Sequence, residues 1–396
     1  MRLLLLAGVA GAVGSTSLAP PLGRPVRPAP PLKLTLRVVA PEPELRAGRV
    51  ERVEVRREYA LILRPEQVRQ VREGRSVAPL KTALESVYKQ IDARQPLNAV
   101  FRDEDGGWTA RGQTGWTVRR AESERALLAA LLERRETVDL PVGLTAPAQS
   151  VRTLLEQGVV AHRAAGESSF TGSPSFRVHN IRVGGEKLHG HLLEPDEVFD
   201  FNRMVGTISA AQGFVPGYVI AGDTLNMEDG GGICQVSTTV FRAAYQAGLP
   251  IVERHAHSHS VAYYDPPGFE ATVYAPALNL RFRNDTGVPL LMQVSWDLKR
   301  ETLRVDLFGA PPDRQVSVSA PVVRDRRLAP PPRFLAAPDL QPSETKRVDM
   351  PASGMRVTIT RQVRMNSGPT RTDYTRSTYR PWGGVFAVHP EDERLE

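Results

Sequence analysis

The sequence predicts a multidomain α+β chain. It has a mixed α/β N-terminal module, a central α+β domain with a cysteine-bearing helix packed on antiparallel strands, and a small all-β C-terminal module. Three observations predict this. The chain has 396 residues, more than one ordinary core organises. Short alternating strands are interspersed with amphipathic helices, without the regular strand–helix rhythm of a parallel sheet. Proline-dense stretches at 20–32 and 311–342 divide the chain into modules.

Met1 and Arg2 precede the apolar run Leu3–Val13, with small residues after it. This is the pattern of a secretory signal over 1–19, cleaved near Ala12 or Ala19 or kept as a membrane anchor. The run is too short to span a bilayer in the ordinary way. The linker 20–32 follows, and 33–160 reads as an α+β binding or spacer module. In it 34–39, 53–55 and 59–63 read as strands, 79–91 and 122–134 as helices, and 98–101 with 108–110 as a hairpin around Asp103–Gly107. A closing strand is expected at 138–142. Residues 165–310 carry the candidate chemistry, 311–342 form a second linker, 343–390 a β module, and 391–396 a tail.

The chain is 41% hydrophobic and carries 51 basic against 44 acidic residues. That excludes global disorder. The basic residues are 45 Arg and 6 Lys, scattered along the chain with no basic block. No nucleic-acid-binding arm is therefore expected, and an anionic polymer such as a cell wall is the partner the charge suits. One cysteine excludes a disulfide framework and any Cys-rich zinc site.

That cysteine follows Gly230-Gly231-Gly232-Ile233, and Ile233, Val236, Val240, Ala244 and Ala247 then recur at helical spacing. Gly248 and Pro250 end the helix. Cys234 therefore sits at a helix N-terminus, where the macrodipole favours the nucleophilic thiolate. The glycines allow backbone N–H groups around Gly231, Gly232 and Ile233 to converge on an oxyanion. Next come His255, His257 and His259, spaced so that one strand would present all three on one face. One of them beside Cys234 would be a nucleophile–base pair, with Glu270 or Asp265 as orienting group. A metal site of His255, His257 and His259, completed by Cys234 or Glu253, is the competing reading. No cofactor is called for. Asn180, Asn202 and Arg203 read as polar positioners or turn residues, and Asp223 and Asn226 as weaker candidates.

These segments resemble the VanW family, named from vancomycin-resistance clusters. The matching residues are His179-Asn180-Ile181, Pro195–Asn202, Val205-Gly206, Gly213-Phe214, Gly230–Thr239, Glu253–Ser258 and Asn284–Pro289. Asp196, Asp200 and Glu270 stand where the family usually has Gly, Ser and Asp. Residues 59–142 more faintly resemble the peptidoglycan-binding module that often precedes this domain, and 343–390 a G5 module. The resemblance implies an exported protein of the periplasm, cell wall or cell exterior that acts on peptidoglycan stem peptides and glycan. It further implies L,D-transpeptidase chemistry, with Cys234 as nucleophile, His257 as base and Glu270 orienting it. His255, Gln235, Ser237, Arg254, Ser258, Asn180 and Asn202 would then serve the site or hold substrate. A non-catalytic wall-binding accessory protein and a zinc-dependent amidase are the alternatives.

Overall fold

The computed structural model describes residues 30–104, 106–221 and 224–395, and of residues 218–226 no side chain is described. The signal reading at 1–19, the linker to residue 29 and Asp223 lie outside the described residues. Among the described residues no helix is long and apolar enough to cross a membrane. The fold class is α+β, as the sequence predicts.

The chain forms two compact units. Of the described residues, the first gathers those up to Val39, with Arg56–Gln90 and Val118–Pro141. Its helices are Pro65–Gly74, Lys81–Asp92 and Arg120–Glu133. The last two match the predicted helices to within two residues. Strand residues 35–37 pair in parallel with Thr137–Asp139. Leu34, Leu36 and Val38 alternate inward and bury completely, together with Val71, Leu84, Leu127 and Leu131. This is the period-2 and period-3.6 patterning seen in the sequence.

The second unit comprises Ala40–Val55, Ile91–Thr117 and Val142–Glu396. Its centre is an antiparallel sheet ordered Ala161–Ser169, Thr302–Gly309, Leu290–Asp297, His191–Leu193. The predicted hairpin, Leu97–Glu104 with Gly107–Gln113, packs here: Phe101 stacks on Phe308 at 4.1 Å. The cysteine helix, Ile233–Gln246, lies against Ala161–Ser169 and Thr302–Gly309. Gly166 makes that approach feasible, since a Cβ there would lie 2.1 Å from the Thr239 carbonyl oxygen. A second helix, Ser175–Glu186, packs beside it, with Gly184 against Ile233 and Gly185 against Val294. The sequence reading assigns no helix there, because paired glycines are poor helix formers and their value is close packing alone.

A small sheet orders Val198–Asp200, Arg281–Arg283 and Ile251–Glu253. The proline-rich stretch 311–342 is not bare linker. It supplies the strands Arg314–Val318, Val322–Arg327 and Arg333–Ala336. The first two share one edge of the long strand Gly354–Met365, whose other edge pairs with Thr370–Tyr379. Ile359 from that long strand is buried in the same apolar cluster as Val236, Val240 and Ala244 of the cysteine helix. Arg361, also buried, donates to the Tyr245 carbonyl at 3.0 Å.

Candidate active site

The cysteine helix begins where glycines can turn. Gly230 and Gly232 have φ of +87° and +110°, where side chains are strained. A Cβ on Gly232 would meet Arg177 Cγ at 2.8 Å, and one on Gly230 would meet Ile208 at 2.3 Å. Buried Asn180 clasps this run. Its amide donates to the carbonyls of Val215 (2.9 Å) and Gly231 (3.1 Å), and its oxygen accepts from the Val215 N–H at 2.9 Å. The Ile233 N–H is spent on Gly230 O, and that of Gln235 on Gly232 O, both at 3.0 Å. Ile233 is thus removed from the expected oxyanion donors. The Cys234 N–H between them has no backbone acceptor among the described residues.

Cys234 is the second residue of the helix and partly exposed. Its Sγ lies 3.5 Å from both Thr272 Oγ1 and Val273 O. Burial alone would push the thiol up. The facing His257 ring, with its opposite charge, aided by Thr272 and the Val273 backbone, overcomes burial and holds the thiol below its ordinary value. His257 responds in the opposite sense. Burial opposes its charge, but Glu270 and Cys234 together push it up to about 9. Glu270 Oε2 lies 3.0 Å from His257 Nδ1, too oblique for a straight N–H hydrogen bond, so the contact is an ion pair. Burial would raise Glu270, yet His257 and the Tyr379 hydroxyl keep it below the usual glutamate range. Tyr264 stacks on the other side of His257, with ring centroids 4.8 Å apart. The arrangement lines up a thiol, an imidazole and a buried carboxylate, and each of the three shifts in the direction that favours its charged form.

The Gln-Val-Ser-Thr-Thr run serves this geometry from behind. Ser237 Oγ donates to the Ala271 carbonyl at 2.6 Å, and Thr238 Oγ1 donates to it and accepts from the Ala271 N–H. The residue next to Glu270 is thereby bound to the cysteine helix. Gln235 turns into the core and donates to Ser168. Arg242, from the same helix, donates to the carbonyls of Tyr264 (2.6 Å) and Phe269 (2.9 Å).

The structure corrects several expectations. Residues 255–261 form no strand, the regular strand stopping at Glu253. Alternation implied one common face, but without a ladder partner along its length the segment turns and the three rings part. His255 Nε2 pairs with Glu253 at 3.0 Å. His259 Nδ1 meets the Arg380 carbonyl at 3.0 Å, its ring beside Trp382. Only His257 reaches Cys234, and among the described residues no group of three or more His, Cys, Asp or Glu is placed to hold a metal. Glu270 lies in an extended, irregular segment, not on a strand. Several expected substrate contacts are architectural. Asn180 and Gln235 are fully buried, and Ser237 is bonded to Ala271. Asn202 donates to the Leu278 carbonyl, Arg254 clips the carbonyls of Gly268 and Glu270, and Ser258 accepts from the Arg380 N–H through its backbone. Arg203 pairs with Glu197.

Four residues of the site carry no mark in the sequence reading. Thr272 and Tyr264 touch the thiol and the imidazole. Arg177 lies over the Tyr263 ring at 4.0 Å and donates to Ser173, and no carboxylate among the described residues pairs with it. Tyr379, on the strand Thr370–Tyr379, donates to Glu270 Oε1 at 2.7 Å. Polar residues on distant elements give no local pattern; only the fold brings them together.

A partly exposed cysteine at a glycine-led helix start, paired with a histidine and a buried glutamate in an α+β domain, defines the class of protein. The VanW-like protein family matches residues 176–308, the segment that holds the whole centre except Tyr379. The chain is 31% identical over 213 residues to the uncharacterized protein YoaR of Bacillus subtilis (strain 168), covering 52% of this chain and 68% of that protein. It is 29% identical over 127 residues to the vancomycin B-type resistance protein VanW of Enterococcus faecalis (strain ATCC 700802 / V583), covering 31% of this chain and 46% of that protein. No solved structure matches the chain at a significant level. The chain belongs to the VanW family.

Proposed function

We propose that this chain is an exported cell-envelope protein that transfers peptidoglycan stem-peptide acyl groups through Cys234, as a cysteine L,D-transpeptidase. The contact sequence Cys234–His257–Glu270 carries the reading. The Cys234 thiolate attacks the carbonyl carbon after the third stem residue, and the Cys234 N–H faces the developing oxyanion. The C–N bond breaks, the His257 imidazolium gives its proton to the departing D-alanine, and a thioester remains. An amine of a second stem attacks that thioester, neutral His257 takes its proton, and thiolate leaves as the new amide forms. One peptide bond replaces another, so neither oxidant nor metal enters the balance. Arg177 adds a positive charge at the rim, suited to an anionic stem peptide.

Envelope residence is supported by the apolar run Leu3–Val13 and by the resistance named in the Enterococcus relative. The flanking modules would raise local substrate concentration by holding the wall. The test is muropeptide analysis of a strain in which this is the only candidate enzyme. Cys234→Ala should abolish 3–3 cross-links. Unchanged cross-links in that strain would overturn the reading and favour a wall-binding accessory role.

A further inference from the structure

The family match ends at residue 308, yet Glu270 is gripped from far beyond it. We propose that Tyr379 is a positioning residue for the Cys234–His257–Glu270 centre, so that the C-terminal β module completes the catalytic machinery as well as reaching the wall. This rests on the acyl-transfer reading only in that it takes the same three residues as the centre.

The geometry is specific. The Tyr379 hydroxyl donates to Glu270 Oε1 at 2.7 Å and accepts from the Gly268 N–H at 2.7 Å. Tyr379 is 3% exposed and Glu270 2%, so water does not compete for the bond. With Oε1 held by Tyr379, Oε2 is the oxygen that faces His257. The same strand fixes the loop a second time: Ser377 and the Arg376 carbonyl accept from Arg254, whose other nitrogens donate to the Gly268 and Glu270 carbonyls. Gly268 packs against Val357 of the neighbouring strand; a Cβ there would lie 2.8 Å from Val357 Cγ1. Two bonds from a single hydroxyl therefore set both the backbone and the carboxylate of the orienting residue.

A tyrosine is suited to this task. A lysine or arginine in its place would neutralise Glu270 and weaken its hold on the imidazolium. A phenylalanine would leave that buried carboxylate oxygen with only the long 3.4 Å contact from the His257 backbone N–H. The charged and titratable groups around Glu270 are His257 and Arg254 on its own side, Arg242 from the cysteine helix, the Cys234 thiol beyond His257, Tyr264 and Tyr379. None of the others is shown donating to Oε1 from a side chain.

The experiment measures the pH dependence of Cys234 alkylation by iodoacetamide in the full chain. Tyr379→Phe keeps the ring and removes the hydroxyl. The thiolate midpoint should rise by about half a pH unit or more, which is roughly a threefold slower reaction at any pH below the midpoint. Glu270→Gln should raise it further, and adding Tyr379→Phe to Glu270→Gln should change it no more, because the hydroxyl acts through that carboxylate. Tyr374→Phe, an exposed tyrosine of the same strand, should leave the midpoint in place. A wild-type midpoint retained in Tyr379→Phe would overturn the proposal alone. So would an undiminished Tyr379→Phe shift in the Glu270→Gln background. A wild-type midpoint already at the ordinary thiol value would remove the thiolate–imidazolium pair, and the proposal with it.

Discussion

Residue by residue, the centre depends on two opposed pKa displacements. Cys234 is held below its ordinary value because His257 faces it, and His257 is raised to about 9 because Glu270 and Cys234 both favour its charge. Between the two, both partners are charged. Acyl transfer should therefore rise with pH as the thiolate forms, below the thiol's ordinary value, and fall again near 9 as the imidazolium loses its proton. His257→Ala removes what offsets burial, so the alkylation midpoint of Cys234 should move up to the ordinary value or above it. Stopped-flow alkylation between pH 5 and 10 checks this, and a midpoint unmoved by the substitution would separate the two residues. The place of Cys234 at a helix start was legible in the sequence, since Gly230–Ile233 and the helical spacing mark it without reference to other elements, whereas His257 was one of three histidines that could face it. Tyr379 was not legible. It lies 109 residues from Glu270, and an isolated tyrosine on an alternating strand reads as ordinary β patterning.

At the level of elements, the cysteine helix is placed by its glycines and by its hydroxyls. Gly232 is held at positive φ against Arg177, so Gly232→Ala adds both backbone strain and a clash. A loss of about 1–3 kcal/mol in urea unfolding is expected, together with a slower Cys234 reaction. Gly172→Ala, also at positive φ but with nothing within 4 Å, isolates the backbone share of that loss. Equal losses in the two variants would mean that the Arg177 contact contributes nothing. The helix itself was readable because its period, its glycine lead and the Gly248–Pro250 stop agree. The histidine segment misled for the reverse reason. Alternation of polar and apolar residues is necessary for a strand but does not supply a ladder partner, and beyond Glu253 only the single bridge of His255 with Thr272 remains. The helix Ser175–Glu186 escaped notice because its Gly184-Gly185 pair lowers helix propensity at the very place where it allows close packing.

Across the whole molecule, three linear modules describe the chain less well than its contacts do. The fold class was readable from length and patterning, while the partition was not. Proline density suggested a linker at 311–342, yet Arg314–Val318 and Val322–Arg327 pair with Gly354–Met365, prolines falling at strand ends where no ladder hydrogen bond is lost. Arg314 donates to Asp285 and to the Gly248 carbonyl, and Arg361 to Tyr245, so the C-terminal strands close over the end of the cysteine helix. Long-range pairings of this kind have no local signature, and they tie the Cys234–His257–Glu270 site to a part of the chain outside the family match.

The central claim is that Cys234 carries a stem-peptide acyl group. Intact-protein mass spectrometry of the purified chain with a disaccharide-linked tetrapeptide stem tests it most directly. The account predicts a hydroxylamine-sensitive adduct of the acyl donor less its terminal D-alanine, mapped to Cys234 and absent from Cys234→Ala. No adduct at any pH between 6 and 9, or an adduct that persists in Cys234→Ala, would contradict it.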